Sequence, residues 1–277
     1  MKIFIIFFLL SFVSLHSQEF RKHILFLTAD SLNGRYPATE GEQIAADYII
    51  SELLKSNCEI YIQKFPFEKS KATNILGIFD RQADSTIIIS AHYDHLGNGS
   101  NKSREIVRKG IHPGADDNAS GVSLILELSK QISKNKKLKY NYIIAAWSGH
   151  EAGLLGSEFF TRSGFYRSLK VAAVINIDMI GRLNLTNPTL RVSGAIKNLK
   201  FSEILNEYDD KFISFRFDDE NIMKSDLKYF AIDGVDVLNL TTGIHDDYHK
   251  LSDTESKINY DGIYRILNLV NYLIDKI

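Results

Sequence analysis

Short hydrophobic runs alternate with segments of helical periodicity along most of the chain. Apolar positions repeat at helical spacing in four segments, residues 38–55, 118–132, 154–161 and 258–277. Apolar runs of strand length lie between them, at residues 59–65, 73–79, 86–90, 141–147, 171–177 and 235–240. Strands that alternate with helices form mostly parallel sheets covered on both faces, and no Pro/Gly/Ser-rich linker divides the chain. The pattern therefore predicts one α/β domain.

The N-terminal residues have the pattern of a processing signal. Lys2 precedes an apolar run over residues 3–13, and small residues follow it before Gln18. The run is shorter than the roughly 20 residues that a spanning helix needs. We therefore predict a secretory signal peptide over residues 1–17, with a signal anchor as the alternative. The mature domain would be residues 18–277, exported to the periplasm or the medium and without a membrane span.

Composition and charge narrow the functional classes. The formal net charge is −1, so nothing indicates nucleic acid or an anionic membrane as a partner. Cys58 is the single cysteine and cannot form an internal disulfide. An exported protein without disulfides must be stabilised by its core, by a bound metal, or by both. We expect Cys58 to be a small buried apolar residue rather than a reactive thiol.

Five residues of metal-binding type stand at or beyond the ends of predicted elements: His92, Asp117, Glu151, Asp178 and His249. Each alone has a plain structural explanation, since Asp is a common helix cap and a lone His is more often a satisfied polar residue. As a set they can converge beyond the carboxyl ends of the strands. Imidazole and carboxylate suit zinc, and five scattered ligands suit a two-metal site. The irregular segment 96–116 would lie over the metals.

Five motifs contain these residues, in this order: His-x-Asp at 92–94, Gly-Ala-Asp-Asp-Asn-Ala-Ser-Gly at 114–121, Glu-x-Gly-Leu-Leu-Gly-Ser at 151–157, Asn-x-Asp-Met-Ile-Gly-Arg at 176–182 and Asp-Tyr-His at 247–249. Together they resemble the aminopeptidase Y and bacterial leucyl aminopeptidase family of cocatalytic zinc exopeptidases. Glutamate carboxypeptidase II, glutaminyl cyclase and the transferrin receptor are relatives of that family. The resemblance implies a three-layer zinc-exopeptidase fold, with a mostly parallel mixed sheet between helices.

The resemblance also implies a role for each residue. His92 and Asp178 would bind one zinc ion, Glu151 and His249 the other, and Asp117 would bridge both. It further implies hydrolysis of peptides that have a free N-terminus, by a water activated between the two ions.

Three further residues would act beside the metals. Asp94 would orient the imidazole of His92. Tyr248 would stabilise the oxyanion, with a rim aromatic as the alternative. Asp116 would either bind the substrate amine or lie on a solvated face.

Two positions depart from the family pattern. His150 stands where relatives carry the general-base Glu, and three interpretations stay open: a working base, an extra zinc ligand, or lost catalysis in a zinc-bound module that binds peptides. Leu227 stands where the family usually has His after Ser-Asp, so the side-chain preference cannot be inherited. A glutaminyl cyclase-like acyltransferase is less favoured, because those relatives generally use one zinc.

Overall fold

An eight-stranded mixed sheet forms the centre of the computed structural model, which describes residues 16–107, 109–184, 186–194, 199–218 and 222–277. The strands are β1 (Glu59–Phe67), β2 (Ser70–Phe79), β3 (Thr86–His92), β4 (Asn141–Trp147), β5 (Val171–Ile177), β6 (Thr189–Ser193), β7 (Ser214–Phe217) and β8 (Asp236–Thr241). Their order in the sheet is β1-β2-β4-β3-β5-β8-β6-β7. The predicted α/β fold with a mixed sheet is confirmed.

The four neighbouring strands β4, β3, β5 and β8 are mutually parallel. Strands β2 and β6 flank this block and pair with it in the antiparallel sense. Every residue of β3 is buried, which explains its uninterrupted apolar run. Because the four strands point the same way, the residues that follow them meet at one edge of the sheet.

Helices cover both faces of the sheet. They are α1 (residues 16–27), α2 (Glu40–Leu54), α3 (Gly121–Lys134), α4 (Leu155–Thr161), α5 (Gly164–Ser168), α6 (Leu199–Glu207), α7 (Lys228–Ile232) and α8 (Tyr260–Lys276). Successive side chains of a strand point to opposite faces. Accordingly, Ile87 and Ile89 of β3 pack with α1, α2, α3 and α8, whereas Ile88 packs with α4, α5 and α7.

Local sequence explains where the long helices begin. The side chain of Thr39 accepts a hydrogen bond from the backbone N–H of Glu42, and Asn259 caps α8 in the same way through Gly262. One stripe of α8 is buried, from Ile263 through Leu267 to Leu273. Each such aliphatic side chain contributes about 1.5–3 kcal/mol on full burial.

The predicted elements are present, with two differences. Helix α3 begins at Gly121 rather than at residue 118, because Ala115–Ser120 forms a wider turn of π-helical type. The short strands β6 and β7 and the helices α1, α5, α6 and α7 were not predicted.

Two sequence predictions concern single features outside the site. Cys58 is buried as expected, and burial raises the pKa of its thiol to about 11. In the part of the chain that the structure describes, no helix is long and apolar enough to cross a membrane. The apolar run 3–13 of the predicted signal peptide lies outside the described residues.

Candidate metal centre

Three of the predicted ligands lie at one edge of the sheet, where the parallel strands end. His92 is the last residue of β3, Asp178 directly follows β5, and Glu151 lies in the turn after β4. His92 is fully buried, and its Nε2 atom lies 3.2 Å from Oδ1 of Asp117 and 3.4 Å from Oδ1 of Asp178. We call His92 and Asp178 the first subsite.

A second group of ligands lies on the other side of Asp117. Nε2 of His249 is 3.0 Å from Oε1 of Glu151 and 3.3 Å from Oδ2 of Asp117. Nδ1 of His249 lies 3.0 Å from the carbonyl oxygen of Lys102, to which it can only donate, so Nε2 is the ring nitrogen that faces the carboxylates. We call Glu151 and His249 the second subsite. Lys102 belongs to the segment that was expected to lie over the metals.

The carboxylates make this cluster attractive to positive charge. Burial alone would raise the pKa of Asp117, but the nearby imidazoles of His249 and His92 outweigh it and hold that pKa well below its usual range. Burial lowers the pKa of His249, yet Asp117 and Glu151 raise it to about 10. Positive imidazoles therefore compensate the negative carboxylates in this cluster. A bound cation would compensate the same negative charge.

The donor set fits a divalent cation. Within the described residues, the buried atoms Nε2 of His92 and Oδ2 of Asp117 have no hydrogen-bond partner. An unsatisfied buried polar group costs about 1–3 kcal/mol, so native structures rarely keep one without a use. Imidazole nitrogen and carboxylate oxygen are ligands that zinc takes readily.

The carboxylate of Asp94 holds the turn that contains Glu151 by hydrogen bonds to its backbone. Its two carboxylate oxygens accept the backbone N–H groups of His150 (3.0 Å) and Glu151 (3.1 Å). Nδ1 of His92 is 3.2 Å from the backbone oxygen of Asp94 and 3.7 Å from its carboxylate. Asp94 therefore contacts His92 as expected, but the backbone oxygen makes the shorter contact.

His150 is largely buried beside the first subsite. Its ring stacks on that of His92, with centroids 3.9 Å apart and an interplanar angle of 9°. Nδ1 of His150 lies 2.8 Å from Oδ2 of the buried Asp226, and Oγ of Ser157 donates to the other oxygen at 2.6 Å. Burial and His92 lower the pKa of His150, but Asp226 more than offsets them, so the pKa is raised.

The ring of Tyr248 lies between the imidazole of His249 and the guanidinium of Arg104. Its ring stacks on the ring of His249, with centroids 3.8 Å apart, and the guanidinium of Arg104 lies 4.6 Å from the ring centroid. Burial, followed by the carboxylates of Asp117 and Glu151, raises the pKa of its hydroxyl. Tyr248 is therefore part of the centre and stays protonated at neutral pH.

For Asp116, the structure contradicts one of the two roles considered from the sequence. It is fully buried, which rules out a solvated face. Its Oδ1 accepts the backbone N–H of Gly181 at 2.5 Å and the hydroxyl of Ser120 at 3.0 Å, and its Oδ2 faces His245 at 3.1 Å. The contacts of Oδ1 hold the turn that carries Asp117, whereas Oδ2 has no hydrogen-bond partner within the described residues, so a role in binding the substrate amine stays a prediction.

Three residues that contact the cluster or its neighbours were missed in the sequence. Asp253 accepts the backbone N–H groups of Asp116 and Asp117 at 3.0 and 3.1 Å, and so fixes the bridging loop. Asp226 holds His150 through the contact of its Oδ2 with Nδ1 at 2.8 Å. His95 lies beside the second subsite, with Nδ1 3.6 Å from Oε1 of Glu151. Only the Asp and His residue types themselves could have pointed to them.

Comparison with known proteins agrees with this geometry. The sequence profile of Peptidase family M28 matches residues 74–274, which include all five predicted ligands. A probable leucine aminopeptidase of Arthroderma otae is 30% identical over 170 residues, which are 58% of this chain and 44% of that protein. The chain thus spans less than half the length of the curated relatives it matches.

Two solved structures share the fold over nearly their whole length. A leucine aminopeptidase precursor from Bacteroides thetaiotaomicron has a TM-score of 0.79 at 16% identity, over 94% of this chain and 97% of that chain. A glutaminyl cyclase from the same organism, bound to N-acetylhistamine, also has a TM-score of 0.79 at 16% identity, over 94% and 98%. At this identity they show the fold alone. The family match, which covers most of the chain, shows that the chain belongs to peptidase family M28.

Proposed function

We propose that the protein is a zinc-dependent aminopeptidase that removes N-terminal residues from peptides. One observation carries the proposal: Asp117 directs its two carboxylate oxygens to two different groups of buried ligands. A bridging carboxylate between a His–Asp pair and a Glu–His pair suits two cations that act on one substrate. Membership of a peptidase family supports hydrolysis as the reaction.

Two Zn²⁺ ions would be held, one at each subsite, with Asp117 shared. When bound, they would polarise the scissile carbonyl and supply a nucleophile from water near neutral pH. The chain's own contribution is to fix the ligands. Asp94 positions the turn of Glu151, Asp253 positions the loop of Asp117, and the Lys102 carbonyl fixes the tautomer of His249.

Among the three interpretations of His150, the working base is the one that its contacts favour. The carboxylate of Asp226 accepts the Nδ1 proton, which leaves Nε2 of the neutral ring free to accept a proton on the side of the first subsite. The same His–carboxylate arrangement orients catalytic imidazoles in other hydrolases. The extra-ligand interpretation keeps geometric support, because His92, His150 and Asp178 offer donor atoms within 4.8 Å of one another.

Tyr248 would donate its hydroxyl to the developing oxyanion. Two features support this role. Its ring is held between His249 and Arg104, and its raised hydroxyl pKa keeps the proton that such a donor needs.

Export through a signal peptide of residues 1–17 is also proposed. Helix α1 supports this proposal, because within the described residues its fully buried apolar positions are Phe20, Ile24 and Leu27, all after Gln18. The two described residues before the boundary make peripheral contacts: the ring of His16 lies 5.0 Å from that of Tyr264, and Ser17 makes one exposed contact with Asp261 at 3.5 Å. Cleavage before Gln18 would therefore leave the packed face of α1 in the mature domain.

Turnover of defined peptides tests the proposal. The zinc-loaded protein should release the leaving group from aminoacyl-anilides but not from their N-acetylated forms, and a chelator should abolish the activity until zinc is restored. A peptide with N-terminal Gln, followed by mass spectrometry, separates hydrolysis from cyclisation. Cyclisation without hydrolysis would indicate a glutaminyl cyclase-like enzyme, and two bound metals without any turnover would indicate a binding module.

A further inference from the structure

His95 is a buried imidazole without a conventional partner. It is fully buried, and within the described part of the chain neither ring nitrogen has a hydrogen-bond partner. Buried ring nitrogens are normally hydrogen-bonded, and a ring with two unpaired nitrogens requires an explanation. His92, a predicted ligand in the same segment, shows the same feature at Nε2.

The backbone around His95 holds its ring in a defined place. Its N–H donates to the carbonyl oxygen of Arg35 at 3.1 Å. The guanidinium of Arg35 in turn donates to the carbonyl oxygens of Tyr93 at 2.8 Å and Gly114 at 3.0 Å. The ring lies against Gly114, where a Cβ atom would come within 2.7 Å of Cγ and Cδ2 of His95, and φ is +59°. A glycine at 114 therefore makes room for this imidazole beside the Asp117 loop.

The unpaired ring faces the second subsite. Nδ1 of His95 lies 3.6 Å from Oε1 of Glu151 and 3.9 Å from Oδ2 of Asp117, and the three residues offer donor atoms within 4.8 Å of one another. Two ligands that share a zinc ion at ordinary bond lengths lie no more than about 4.3 Å apart. Both distances satisfy this limit. The ring is also nearly perpendicular to that of His249, at 76°.

We propose that His95 binds, through Nδ1, the metal ion held by Glu151 and His249. The inference rests on the proposed two-metal function and adds a sixth ligand to it. The second subsite would then have four protein donors, two imidazoles and two carboxylates, with Asp117 shared. The first subsite would have three, from His92, Asp178 and Asp117.

The inference makes the two subsites unequal. A zinc site with four protein ligands is closed, whereas a catalytic site keeps a position open. The second subsite would therefore hold its ion more tightly and fill first. The open position would lie at the first subsite, where His150 stacks on His92.

Metal binding to the full-length chain tests the proposal. Calorimetric titrations with Zn²⁺ and with Co²⁺ would compare the wild-type protein, His95→Gln and the matched control His23→Gln. His23 is also fully buried, but both of its ring nitrogens are hydrogen-bonded, to Tyr48 and Glu127. We expect His95→Gln to weaken the tighter metal-binding event by more than about 100-fold. Loss of a residue that only orients a metal ligand typically weakens metal binding by about 10–100-fold. His23→Gln should leave the tighter binding event unchanged.

A second variant gives a spectroscopic signature and covers a folding failure of the first. In His95→Cys loaded with Co²⁺, a thiolate at the metal should produce a sulfur-to-cobalt charge-transfer band and restore much of the affinity. Absence of that band in folded His95→Cys, or metal binding by His95→Gln that is as tight as in the wild type, would overturn the role of His95 but not the proposed function. Wild-type protein that binds two ions and cleaves peptides would still support the proposed function, and wild-type protein that binds no metal would overturn both.

Discussion

Two buried clusters in this protein have the same residue types but differ in how their polar atoms are satisfied. One is the metal centre around Asp117. The other is formed by Glu19, His23 and Glu127, which also offer three donor atoms within 4.8 Å of one another. In the second cluster His23 contacts Tyr48 and Glu127 at 2.7 and 2.9 Å, and the ammonium of Lys130 contacts Glu127 at 2.5 Å.

The difference separates the candidate metal centre from a structural ion-pair network. In the Glu127 cluster a lysine supplies the positive charge, and both His23 nitrogens are hydrogen-bonded. In the metal centre, Nε2 of His92 and Oδ2 of Asp117 stay unpaired within the described residues. Residue type and proximity are common to both clusters, so the unpaired atoms carry the argument for a cation.

The largest effect is expected from the bridging carboxylate. Asp117→Asn removes the negative charge that the two subsites share and leaves only one of the two oxygens that would bind metal, so hydrolysis of leucyl-anilide should fall to background. Asp246→Asn is a matched control, because Asp246 is exposed and lies in the same loop as His249. Retention of more than a tenth of the activity by Asp117→Asn would contradict a bridging role.

The next largest effect is expected at His150. Loss of a general base typically costs ~10²–10⁴-fold, so His150→Ala should lower kcat by this factor while the metal content stays the same. Loss of one metal ion in the same variant would indicate an extra ligand instead. We expect both the wild type and His150→Glu to be active. Activity in His150→Glu but not in the wild type would identify the natural chain as a catalytically silent relative.

A smaller effect on the same step is expected at Asp226. An amide in Asp226→Asn can donate to Nδ1 and so favour the tautomer in which Nε2 carries the proton and cannot accept one. We expect kcat to fall by about 10–100-fold with KM nearly unchanged, as for partners that orient functional imidazoles. Ser157→Ala, which removes only one hydrogen bond to Asp226, should change kcat less.

A mutation in the Glu127 cluster should change the stability of the protein and not its activity. Burial raises the pKa of Glu127, but His23 and Lys130 outweigh it and leave the pKa lowered. The stabilisation is therefore present above the carboxyl pKa of the unfolded chain, about 4.3, and is lost as pH falls through the lower folded value. Glu127→Gln should cost about 1–3 kcal/mol in the free energy of unfolding at pH 7.

Urea denaturation of wild type and Glu127→Gln at a series of pH values checks this prediction. The stability difference should shrink as pH falls below about 4.3. Activity and metal content should equal those of wild type throughout the neutral range. A loss of bound metal in Glu127→Gln would mean that this cluster also holds an ion, and would remove the contrast between the two clusters.

The sequence predicted the buried parts of the fold better than its edges. Strand β5 lies where the apolar run placed it, because every residue in its second half is buried. Strand β7 forms one edge of the sheet and β6 lies beside it; both are short and have mixed exposure, so their residues show no clear pattern. The start of α3 was wrong by three residues, because Asp253 holds the backbone of Asp117 in a non-helical conformation from 136 positions away.

The convergence of the five predicted ligands could be foreseen because most of them follow or close an apolar run and all five lie within motifs. Their partners were not. The contact of His150 with Asp226 joins residues 76 positions apart, and the place of His95 depends on the packing of Gly114. No local pattern encodes such contacts, since they arise only when the parallel strands bring their ends together.

The most direct test of the two-metal account is the metal content of the purified chain. Elemental analysis after dialysis against zinc would compare wild type with Asp117→Ala and Glu127→Ala. The account predicts two ions per chain for wild type and for Glu127→Ala, and fewer than one for Asp117→Ala. A single ion in wild type, or two ions retained without Asp117, would contradict it.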